Sequence, residues 1–119
     1  MRTTYAHDAL LVLDPDGDER APGAAVTLEL CGSWEHPGTC PVAPHHTATQ
    51  RDGDEVGVRV LFAVESEQEG SVRARVVDAL SSGHLVGPEG ATRWRLVRHA
   101  GSEVRVDEQE HAARLAQGS

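Results

Sequence analysis

Residues 55–64, E-V-G-V-R-V-L-F-A-V, constrain the fold more than any other part of the chain. Val56, Val58, Val60, Phe62 and Val64 alternate with Gly57, Arg59, Leu61 and Ala63, and along a strand successive side chains point to opposite faces. The first set is wholly apolar. The second becomes apolar only towards residue 64. The pattern predicts a central strand, buried along one face and covered on both faces near its end. Asp52-Gly53, just before it, is a hairpin signal because both residues tolerate positive φ, so residues 47–50 are read as its partner strand.

Other segments fit around that strand. Residues 9–13 are a short apolar run closed by Asp14-Pro15-Asp16-Gly17, which favours a buried strand. Asp14, Asp16 and Asp18 open the following loop as a calcium loop would. Its glycine comes fourth where sixth is required, and Ala25 stands where the closing glutamate belongs, so the loop reads as an acidic turn. In residues 24–31, Val26, Leu28 and Leu30 alternate with Thr27, Glu29 and Cys31, which predicts a half-buried strand in a hairpin with the first. Ser66 and Glu69 have capping-box spacing ahead of an apolar stripe of Val72, Val76, Val77 and Leu80, predicting the main helix over 66–82, with Gly83 as its stop.

Residues 92–99 read as a strand with Trp94 and Leu96 inward. Ala100-Gly101 would turn the chain into a short strand at 104–106. Asp107 and Glu110 would cap a last helix with a weak apolar face of Ala112, Leu115 and Ala116. The fold class is therefore α+β: one domain over 1–119, a small, mostly antiparallel sheet of four to six strands, and a main helix and a short C-terminal helix packed on one face.

Only four residues are aromatic and 39% are apolar, so the core rests on Val, Leu and Ala. Such a thin core would gain from a homodimer contact or a protein partner. The net charge is −8 and all eleven basic residues are arginine, a balance that argues against nucleic acid, whose binding needs a basic face. No apolar run has the length of a membrane span or signal-peptide core, so the expected location is cytoplasmic.

The densest chemistry lies in residues 31–46, C-G-S-W-E-H-P-G-T-C-P-V-A-P-H-H, which hold both cysteines, three of seven histidines and three of six prolines. Cys31, His36, Cys40, His45 and His46 are thiol and imidazole donors of the kind that zinc takes in tetrahedral sites. Prolines between them stiffen the loop and reduce the entropy lost when a metal orders it, while the glycines let it turn. The spacing matches no standard finger or ribbon. Read as a connection between two paired strands, a loop of this length is expected to be functional or internally tied.

Three plainer readings compete. The cysteines could pair as a disulfide, which a reducing compartment opposes. His45-His46 could simply begin a strand, with only one of them facing the loop. The segment could also be a surface loop with Trp34 packed on the core and no metal.

A closed set of four ligands would make the site structural. Three ligands plus water would make it catalytic, with Glu35 the nearest general base. A nucleophilic cysteine beside His36 or His46 is disfavoured by the acidic surroundings. The remaining histidines, His7, His84, His99 and His111, look like surface or satisfied residues, with His7 placed to approach the loop if the sheet order allows. Arg59, Arg93 and Arg95 could form an anion patch, although solvated arginines are the simpler reading.

The expected function is thus a small zinc-binding accessory or regulatory module. Its alternatives are a metal-dependent enzyme using Glu35, or a metal-free acidic interaction or inhibitor protein.

Overall fold

A computed structural model describes residues 2–31, 43–87 and 90–117. Its elements follow in the order β1 (Thr3–Leu13), α1 (Ala21–Cys31), β2 (His45–Asp52), β3 (Glu55–Val64), α2 (Glu69–Ser81), β4 (His84–Gly87), β5 (Gly90–Ser102) and α3 (Gln109–Ala116). The five strands form one sheet in the order β2-β3-β1-β5-β4, and each neighbouring pair is antiparallel. This is the expected α+β class.

β1-α1-β2 and β3-α2-β5 are two β-α-β units, each split by a strand of the other, with β4 added at the far edge. β1 and β3 are thereby central, as the apolar alternation of β3 requires. Val56, Val58, Val60, Phe62 and Val64 are all buried, in one core with Val26 and Leu30 of α1 and Val72, Val76 and Leu80 of α2. On the other face Leu61 and Ala63 are buried with Ala6 of β1 and Leu115 of α3. The strand is covered on both sides towards its end, as read from the sequence. The short C-terminal helix does cover a face, but it is the face opposite α1 and α2. Thr4 anchors it there by donating its hydroxyl to the Ala112 carbonyl at 2.7 Å.

The hairpin lies where expected, with its turn one residue later. Gly53 and Asp54 form the loop, and only Gly53 has a positive φ, 63°, the pattern of a II′ turn. Residues 24–31 are helix, not strand. The same residues satisfy helical spacing, because Pro22, Val26 and Leu30 recur every fourth position and all are fully buried. Pro22 suits a helix's first turn, and Gly23 lets α1 approach β2 so closely that a Cβ there would lie 2.9 Å from Thr47 Oγ1.

Neither expected capping box forms as read. Ser66–Gln68 is a 3-10 turn leading into α2, and no side chain caps it. Ahead of α3 it is Glu108, not Glu110, that reaches back to accept the Arg105 backbone N–H, at 2.9 Å. β5 runs on through Ala100 and Gly101 to Ser102, so no separate strand exists at 104–106.

β5 also carries a bulge that sequence alternation could not reveal. Leu10 pairs with Arg98 and Leu11 with Leu96, leaving Val97 unpaired and half exposed. The extra residue shifts parity along the strand. Trp94 and Leu96 face α1 and α2, and so do His99 and Gly101 beyond the bulge, opposite Ala9 and His7.

Candidate functional site

The Cys/His stretch joins the end of a helix to a strand, so it is not a clasp between two paired strands. Cys31 is the last residue of α1. The Cys31 side chain and residues Glu35, His36 and Cys40 lie outside the described part of the structure. His45 and His46 begin β2, and strand geometry sends them to opposite faces.

His45 faces α1. Its Nδ1 lies 3.1 Å from the Ala43 carbonyl, which can only accept, so Nδ1 carries the proton. Its Nε2 then has the lone pair, and the Thr27 hydroxyl, 3.1 Å away, donates to it. His46 turns to the α3 side and packs on His111 with ring centroids 4.5 Å apart. Burial, then the neighbouring His111, pushes the His46 imidazole below its ordinary value, against an opposing pull from Glu108. His45 and His46 therefore do not share one site, because His46 belongs to another face. Among the described residues no three His, Cys, Asp or Glu side chains converge as a metal site.

Two polar clusters were not visible in the sequence. The first joins α2, β1 and β5. Arg73 Nη1 donates to the Ala6 carbonyl at 2.7 Å and to His7 Nδ1 at 3.0 Å, and His7 Nε2 lies 3.0 Å from His99 Nδ1. Glu69 orients the guanidinium by accepting from Arg73 Nε at 2.8 Å, and the cation lies over the Tyr5 and Phe62 rings at 5.7 and 5.4 Å. Gly101 leaves the necessary space, since a Cβ there would meet Arg73 Nη1 at 2.9 Å. His7 is 5% exposed. Burial first, then Arg73 and His99, hold its imidazole below the ordinary value, with Asp8 opposing. Of this cluster only His7 is signalled by the sequence: it occupies an inward position in the stripe Tyr5, Ala9, Leu11, Leu13, where an imidazole needs partners.

The second cluster lies on the α3 face. Arg59 grips Glu108 with Nε and Nη2 at 2.9 and 2.7 Å. Its Nη1 donates to Asp8 and Ser102, at 2.8 and 2.9 Å, and Nη2 also reaches the Glu103 carbonyl at 2.7 Å. The guanidinium is therefore committed within the fold, which removes Arg59 from the anion patch. Arg93 and Arg95 remain exposed on β5. Arg51 is likewise committed at the α1 side of β2, donating to the Gly17 carbonyl at 3.0 Å and the Pro15 carbonyl at 3.2 Å. It thereby ties down the acidic turn.

No helix among the described residues is long and apolar enough to cross a membrane. No family model matches the chain, and no curated protein is similar to it.

Proposed function

We propose that the chain is a small cytoplasmic accessory or regulatory module that binds zinc through its Cys/His stretch, with Cys31, His36, Cys40 and His45 as ligands. The orientation of His45 carries this reading. Its Nδ1–H is given to a backbone carbonyl, as in imidazoles that bind metal through the other nitrogen. Its Nε2 lone pair faces α1, the helix that Cys31 ends. Zinc would displace the Thr27 hydroxyl from that nitrogen. His46, on the other face, stays out, and two thiolates with two imidazoles close a tetrahedron without water. Such a site is structural, and Glu35 has no catalytic task in it.

Elemental analysis of protein purified without added metal tests the proposal. The expected result is close to one zinc per chain, lost in His45→Ala and kept in His46→Ala. Cys40→Ser should lower the melting temperature as well as the zinc content. Less than about a tenth of an equivalent in the wild-type protein overturns the proposal, given how tightly such ligand sets hold zinc, and leaves the metal-free interaction protein as the reading.

A further inference from the structure

We propose that Arg73, His7 and His99 form an acid-sensitive latch, which holds α2 onto the seam between β1 and β5 while both imidazoles are neutral and releases the helix when either gains a proton. The argument begins with the direction of the hydrogen bonds. A guanidinium can only donate, so His7 Nδ1, 3.0 Å from Arg73 Nη1, must carry a lone pair. The His7 proton is then on Nε2, and it is donated to His99 Nδ1 at 3.0 Å, which must also carry a lone pair. The chain runs one way, from Arg73 through His7 to His99. A proton added at His7 sets N–H against N–H towards Arg73. A proton added at His99 Nδ1 does the same towards His7. Either addition costs a hydrogen bond, and one at His7 also places a second cation beside the guanidinium.

The groups around His7 favour this outcome. On its own face, α2 presents Arg73 and Glu69, β1 presents Tyr5, and β5 presents His99 opposite Ala9 and Gly101 opposite His7 itself. β3 presents Val60 opposite His7, which does not titrate. Asp8 points to the other face, where Arg59 holds its carboxylate at 2.8 Å. Glu69 is already engaged by Arg73 Nε, so neither carboxylate stands free to receive an imidazolium. Burial and Arg73 depress proton binding by folded His7. Its contribution to stability is therefore complete above the ordinary histidine value of 6.5 and falls away as the pH drops below it. The Val97 bulge makes the latch possible, since regular alternation from Trp94 and Leu96 would place His99 on the opposite face.

Imidazole nitrogen spectra of the wild-type protein at pH ~7.5 should show the His7 proton on Nε2 and lone pairs on His7 Nδ1 and His99 Nδ1, as the hydrogen-bond directions require. Amide exchange, corrected for its intrinsic pH dependence, should rise several-fold in α2 relative to β3 between pH ~7.5 and ~5. His7→Gln can accept from Arg73 and donate to His99 without titrating, so it should abolish the rise. His99→Gln keeps an acceptor for His7 and should reduce it. The latch is overturned if His7 carries its proton on Nδ1, or if wild-type α2 shows no selective rise. It is also overturned if His7→Gln loosens in acid as the wild type does. Should His7→Gln not fold, the wild-type spectra and His99→Gln decide the matter.

Discussion

Arg59 spends all five N–H donors inside the fold: on Glu108 twice, on Asp8, on Ser102 and on the Glu103 carbonyl. Its side chain is 11% exposed, against 19% for Glu108 and 45% for Asp8. Arg59→Met would leave two carboxylates facing each other without their cation. The expected cost is about 2 kcal/mol, the scale of a charged hydrogen-bond set discounted for the water at Asp8, read as a shift in the urea midpoint. Arg59→Lys should recover only part of it, because a point charge cannot hold Glu108 with two parallel bonds. The hydrogen bonds from Arg59, then the Arg105 backbone N–H, draw the Glu108 carboxyl down to about 2 from an ordinary 4.5, although burial opposes them. Its stabilisation is thus whole above 4.5 and is lost as the pH falls from there towards 2. Glu108→Gln should lower stability at neutral pH and flatten the acid limb of a stability–pH curve across that window.

Element by element, legibility followed the strength of the local pattern. β3 and its hairpin were readable because Val56, Val58, Val60, Phe62 and Val64 keep an apolar period of two along the whole strand. α2 was readable from its stripe, although no serine cap forms at its start. α1 was not, because Val26, Leu28 and Leu30 satisfy a period of two and Pro22, Val26 and Leu30 a period of four, and local spacing cannot choose between them. What decides is tertiary: β1 already has β3 and β5 as partners, so no strand position beside it is open. The edge strand β4 went unseen because four residues carry too little pattern. Gly83, between α2 and β4, was read correctly as a stop, and the structure adds a stronger demand. Its φ is 75°, and a Cβ would sit 2.9 Å from the Trp94 carbonyl. Gly83→Ala should cost about 2 kcal/mol, from the left-handed backbone together with that contact. The loss should show as faster exchange at the Trp94 amide, which donates to the Gly83 carbonyl. Of the candidate site, the composition of the Cys/His stretch was legible, as was the divergence of His45 from His46. The Arg73–His7–His99 cluster was not, since it gathers residues far apart in the chain and depends on a bulge.

For the molecule as a whole, the two covers of the sheet are unequal. Among the described residues, α1 and α2 close one face over most of the buried apolar side chains, while α3 closes the other over the small cluster of Ala6, Leu61 and Ala63. Leu115→Ala should therefore cost about 2 kcal/mol, the low end for a buried leucine, because the site is shallow and can collapse. Thermal melts should show the loss with the tertiary signal of Trp94, on the far face, otherwise unchanged.

The position of β1 at the centre of the sheet has a consequence for the timing of synthesis. β1 is made before either of the two strands it needs, β3 and β5, and β5 begins only at Gly90. A nascent chain leaving the ribosome can pair β1 with β3, but the second edge of β1 stays open until β5 has emerged. Closing the sheet thus joins strands that lie far apart in the sequence, a topology expected to fold slowly. Chains arrested just before Gly90 should remain sensitive to protease. Those extended until β5 is free to pair should become resistant in a single step.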